Sequence, residues 1–235
     1  MEIKKRETYY MPQDIEVESS KRIQKIYQDF IQKVDATDYP CLGAKSAIHT
    51  NHYRFGIYEE MGNPESTVSL ARDLKKYIKE TIAADSQYMT MIAVFTDVVQ
   101  SELAFEKKLW EQLQSLHDFE KGSQPWDPAV SSNPQEDDFS FSFHGTAFFV
   151  VGIHPNASRK ARRFGYCGMA FNLHSQFEKL RENNLYEKMK RAIREREATY
   201  DGDINPMLKD HGEGLEAPQY SGRQVGQSWK CPFRR

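Results

Sequence analysis

Apolar positions recur at helical spacing over roughly 20–35, where Ile23, Ile26, Tyr27, Phe30, Ile31 and Val34 form one continuous stripe. Ser19 or Ser20 can cap that helix, and Asp38-Tyr39-Pro40 stops it. The stretch 45–58 mixes β-branched and aromatic residues without a helical period and predicts an extended segment or hairpin. Asn63-Pro64-Glu65 combines a cap, a first-turn proline and an acid at the positive end of the helix dipole. Ala71, Leu74, Ile78 and Ile82 supply the inner face of the helix that follows. Tyr88 to Phe95 reads as a buried strand, and 100–117 as a helix presenting Phe105, Leu109, Leu113 and Leu116. In FSFSF, Phe139, Phe141 and Phe143 share one strand face and Ser140 and Ser142 the other. His144-Gly145 turns the chain into Ala147–Ile153, which is apolar at every position, as a strand covered on both faces is. Met169–Asn172 is a short strand candidate, and helices follow near 174–183 and 185–199 with Phe177, Leu180, Met189 and Ile193 inward. From 200 onward the text is irregular, and Trp229, Pro232 and Phe233 are expected to tie the terminus onto the fold. The expectation is one α+β domain over 1–235: an antiparallel or mixed sheet with helices packed on it and an irregular C-terminal wrap.

Composition narrows the function classes. Lys plus Arg is 32 against 34 for Asp plus Glu, a formal charge of −2, which disfavours nucleic acid as a partner. A mean hydropathy of −0.74 without a long apolar run predicts no membrane span. The opening segment MEIKKRETYYMPQD holds no apolar core, so no secretory signal is expected. Cys41, Cys167 and Cys231 are too few and too scattered for a disulfide framework, which suggests a reducing, cytoplasmic setting. The connection 118–138 holds six acids, one lysine and three prolines, and reads as a functional loop or a solvated excursion.

Chemistry concentrates between 151 and 181. His154 follows the apolar strand, and Pro155 fixes the chain's exit, so the imidazole could serve as a ligand or as a hydrogen-bonded structural group. Ser158, Arg159, Arg162 and Arg163 come next; on one helical turn the three arginines would share a face and call for an anion. Residues 158–196 hold eleven basic residues against four acids, a net +7 that suits either a solvated, internally paired face or an anion site. His174 and Glu178, four apart on a helix, could form a base and its orienting acid, or decorate the surface. Cys41, between Pro40 and Gly43, is a candidate thiolate or a buried inert thiol.

The segments YPCLGAKSA (39–47), SELAFEKKLWEQLQSLHD (101–118), WDPAVSSNP (126–134), FSFSFHGTAFFVVGIHPNASRKARRF (139–164), FNLHSQFEKLR (171–181), INPML (204–208), QYSGR (219–223) and WKCPF (229–233) are a specific set in order. On them the chain resembles the YqcI/YcgG family, which includes haem-dependent N-hydroxylases of guanidine-bearing amino acids.

The resemblance implies a haem b cofactor and oxidation of a nitrogen on a small amino-acid-like substrate by oxygen or peroxide, with an electron-donor protein as a further candidate partner. It turns Ser158, Arg159, Arg162 and Arg163 into candidates for the haem carboxylates, and makes His154 the first choice for the iron ligand, with Cys41 and His174 as alternatives. His174 and Glu178 become candidate catalytic groups. Glu216, Gln219, Tyr220 and Arg223 become candidate substrate contacts, joined by the acids of 118–138. Leu215, Pro218, Asp203 and Glu197 depart from the family pattern, which bears on the substrate more than on the haem. A haem sensor or carrier without turnover, and a non-haem anion or phosphate binder, are the rival readings.

Overall fold

The computed structural model describes residues 7–17, 20–210 and 212–235, except for the side chain of Glu16. The proposed cap Ser19 lies outside them, and Ser20 is the cap observed, accepting the Ile23 N–H. In chain order the elements are β1 (Tyr9–Tyr10), α1 (Pro12–Glu16), α2 (Lys21–Asp35), α3 (Leu42–His49), β2 (Tyr53–Tyr58), α4 (Pro64–Ala84), β3 (Thr90–Phe95), α5 (Glu102–Glu120), β4 (Phe141–Phe143), β5 (Thr146–Ile153), β6 (Cys167–Leu173), α6 (His174–Glu182) and α7 (Tyr186–Asp201). Residues 45–49, expected to be extended, belong to α3: Cys41 caps the helix, and the aromatic-rich run that gives a strand begins only at Tyr53.

Among the described residues six strands form one mixed sheet in the order β1-β2-β3-β6-β5-β4. Only β2 and β3 run parallel, joined by the α4 crossover; the other pairs are antiparallel. His144 and Gly145 both take positive φ, 52° and 71°, so the β4–β5 hairpin closes through the left-handed region.

Strand alternation divides the protein into two faces. Phe148 and Val150 of β5, Met169 and Phe171 of β6, and Met91 and Ala93 of β3 pack with the α4 and α5 side chains Leu74, Tyr77, Phe105 and Leu109. Gly152 continues the same face: a Cβ there would lie 2.6 Å from Phe105 Cε1 and 2.8 Å from the Tyr220 carbonyl oxygen. Ile92, Val94 and Ile153 point the other way, toward Phe30 and Val34 of α2. On that side β6 offers only Gly168, Ala170 and Asn172, and α3 offers Gly43 and Ala44. Small residues facing each other leave space there.

The C-terminal wrap is anchored from two directions. Phe233 packs with Trp126, Phe139 and Phe141. Buried Glu106 accepts from Nε and Nη2 of Arg223, the Trp229 indole N–H and the Ser221 hydroxyl. Among the described residues no helix is long and apolar enough to cross a membrane.

Candidate functional site

The space behind Ala170 is a cavity of about 310 Å³ between one sheet face and α2, α3, α6 and α7. Ile92, Val151, Ile153 and Ala170 form its sheet wall, and Phe30, Val34, Leu180, Met189 and Ile193 its helical walls. An adjoining lobe of about 190 Å³ shares Phe149, Phe177, Met189, Ile193 and Leu208 with it and adds His174, Glu216 and Gln219.

Cys41 lines the larger cavity because α3 begins there. As N-cap its sulfur accepts the Ala44 N–H at 3.4 Å. Burial pushes its thiol pKa up, while the N–H groups of Ala44 and Gly43 pull in the opposite direction. Tyr39, Arg162 and Glu197 line the same cavity.

His154 is elsewhere. Strand parity carries it to the face of Phe148, Val150 and Gly152, opposite the cavity. Its ring is fully buried and stacks on Phe105 of α5 at 4.2 Å. Neither ring nitrogen has a hydrogen-bond partner among the described residues. Burial holds its pKa down at about 4.

The arginines do not form the expected trio. The helical turn that would align them is a three-residue 3-10 turn flanked by extended backbone, so their side chains diverge. Arg159 pairs with Glu197, Asp201 and Asp203. Arg162 is buried and donates to the carbonyls of Gly152, Gln219 and Tyr220, joining the end of β5 to the wrap. Arg163 bonds the carbonyls of Ala157 and Ser158, and the Ser158 hydroxyl donates to Glu102. Each guanidinium is engaged by this chain itself.

His174 and Glu178 are also separated in role. Glu178 is exposed and pairs with Arg181. His174 is buried at the start of α6, with Nε2 4.0 Å from Glu216 Oε2. Glu216 accepts from the Ser140 hydroxyl at 2.8 Å and the Tyr220 hydroxyl at 2.6 Å, both on Oε1. Tyr220 in turn accepts the Phe141 N–H, so its ring and hydroxyl are fixed by the sheet edge. Gln219 is buried beside the lobe, its amide donating weakly to the carbonyls of Leu215 and Lys209. Arg223, paired with Glu106, lines neither cavity.

The acids of 118–138 stay outside both cavities. Glu120 binds His144 and Lys75, Asp127 accepts from Ala129 and Ala147, and Glu136 accepts from Ser131 and Asn133. Glu197 was absent from the sequence candidates, although Met189, Ile193 and Glu197 are spaced by four and so place an acid on the inner face of α7. No group of three or more His, Cys, Asp or Glu among the described residues is arranged to hold a bare metal ion.

The profile of the YqcI/YcgG family matches residues 27–234. The chain belongs to that family. It is 28% identical over 211 residues to the uncharacterized protein YqcI of Bacillus subtilis (strain 168), an alignment covering 84% of this chain and 81% of that relative. No solved structure matches. The match covers α3, with Cys41, and the His174–Glu216 corner, so both cavity features lie within the family's shared region.

Proposed function

We propose that this protein is a haem-dependent N-oxygenase of a small guanidine- or amine-bearing amino acid, with the porphyrin in the larger cavity. The observation that carries the reading is an apolar cavity, between a sheet face and four helices, with a single thiol in its wall. The residues fit the group in two respects. The walls are mostly aliphatic and aromatic, as a porphyrin face requires, with Arg162 and Glu197 among the few charged groups. Cys41 would supply the iron ligand; its sulfur accepts an N–H from the first turn of α3, an arrangement that steadies a thiolate. Burial otherwise raises that thiol, so iron binding would release its proton. Of the cations bordering the adjoining lobe, Arg181 pairs with Glu178, and Lys190 and Arg194 pair with Asp210, so Lys209 takes the place of Arg159, Arg162 and Arg163 as the candidate for a haem carboxylate. His154, on the opposite sheet face, is no longer the preferred ligand.

When bound, haem supplies activation of oxygen or peroxide, with a reductant or electron-donor protein needed for oxygen. This chain supplies orientation. Its apolar walls exclude water from the reacting nitrogen. Ser140 and Tyr220 hold Glu216 so that its carboxylate can face a cationic substrate head beside His174. A cytoplasmic setting belongs to the same proposal and is supported by three cysteines that form no disulfide.

Titration of the purified protein with hemin tests the reading through its absorption spectrum. A saturable Soret band is expected. Cys41→Ser should change the carbonyl-ferrous spectrum, whereas His154→Leu should bind as wild type does. A wild-type protein without a Soret band in excess hemin refutes the proposal, and an unchanged Cys41→Ser spectrum refutes the ligand. Turnover of arginine-like compounds separates an oxygenase from a haem sensor or carrier.

A further inference from the structure

We infer that Tyr53 and Tyr27 form a redox pair that carries an oxidising equivalent from the larger cavity to the protein surface. The inference rests on the haem reading above and concerns residues outside the proposed ligand and substrate corner. Tyr53 opens β2, is buried, and lines the cavity. Tyr27 sits on α2 and is half-buried. Their hydroxyl oxygens are 2.5 Å apart. Their rings lie nearly parallel, 17° between planes and 6.4 Å between centroids. One phenol therefore faces the cavity, the other reaches toward solvent, and a short hydrogen bond joins them.

That geometry suits transfer of a hydrogen atom. A phenol gives up an electron readily only when its proton can leave with it, and a short O···O contact supplies the path. Hydrogen peroxide in the loaded cavity is the oxidant. Tyr53 contributes one electron and its hydroxyl proton and becomes a phenoxyl radical. The Tyr27 O–H bond then breaks as the Tyr53 O–H bond re-forms, which moves the radical to Tyr27. A small surface reductant such as ascorbate returns one hydrogen atom to Tyr27. Two such passages reduce one peroxide to two waters and oxidise two reductant molecules by one electron each. The pair would give the protein a peroxidase-type activity when no substrate nitrogen is present, and spare Cys41 from oxidation.

The test uses the full chain loaded with hemin, treated with hydrogen peroxide and freeze-quenched for electron paramagnetic resonance. Wild type is expected to show a radical with tyrosyl hyperfine structure that ascorbate removes. Tyr53→Phe, which keeps the ring and its packing, should lose most of the signal. Tyr27→Phe should leave a tyrosyl radical that ascorbate removes much more slowly. An intact Soret band with no tyrosyl radical, or signals and ascorbate decay unaltered in both variants, overturns the relay while leaving the haem reading standing. Failure to take up hemin overturns that reading and the relay together.

Discussion

His154 should make the protein acid-sensitive, to a degree set by its burial. The imidazole is enclosed against Phe105, with no partner for either nitrogen among the described residues, so adding a proton places an uncompensated charge in the core. Its pKa falls from an ordinary 6.5 to about 4. Between those values the unfolded chain binds the proton and the native state does not, so stability drops as pH falls. The contribution is complete above about pH 6.5 and lost progressively toward pH 4. At ~1.4 kcal/mol per pKa unit, the loss across that window is roughly 3 kcal/mol. Other groups titrate over the same range, so the informative quantity is the difference from His154→Leu, which has no proton to take up. Urea unfolding followed by tryptophan fluorescence at intervals from pH 7 to pH 4 measures it. Wild type should lose roughly 3 kcal/mol more than the variant over that range, with similar m-values. Parallel pH curves for the two proteins would refute the reasoning, because they would mean that His154 is protonated in the native state as easily as in the unfolded chain.

Three further outcomes follow from particular contacts. Glu106→Ala leaves Arg223 without its bidentate partner and frees Trp229 and Ser221, so about 3–5 kcal/mol should be lost, with faster proteolysis of the segment after 220. Gly152→Ala sets a Cβ 2.6 Å from Phe105 Cε1, 2.8 Å from the Tyr220 carbonyl and 2.9 Å from Leu109 Cδ1; thermal unfolding should report destabilisation of about 1–3 kcal/mol, because backbone as well as side chains must move. Tyr220→Phe removes the acceptor of the Phe141 N–H and a donor to Glu216, which should cost about 1–3 kcal/mol in chemical denaturation and loosen the Glu216 corner.

Most elements were legible because each carries its own period and punctuation. The α2 stripe, the Asn63 cap, the FSFSF alternation and the apolar β5 run are local patterns, and the structure reproduces them with boundaries moved by a few residues. Residues 45–49 escaped because a short helix packed on others needs little apolar stripe of its own; its one clear mark was the Cys41 cap. The irregular ending with Phe233 as its anchor was also readable, since aromatics in a Gly- and Pro-rich tail seek a hydrophobic partner.

The site depended on information that no local pattern carries. Periodicity alone puts His154 in step with Phe148, Val150 and Gly152, but which side of the sheet holds the space was decided by α4 and α5 filling one face while Ala170, Gly43 and Ala44 left the other thin. The spacing of Arg159, Arg162 and Arg163 assumed a helical turn; Arg159 and Arg162 instead find Glu197, Asp203 and the carbonyls near 219–220, far along the chain, while Arg163 turns back to the carbonyls of Ala157 and Ser158. His174 lies beside Glu216 and not Glu178 for the same reason. Sequence determines which residues can share a strand or helix face, because that follows from backbone geometry. Which faces meet, and which polar groups meet across the gap, is settled only when the whole chain has packed.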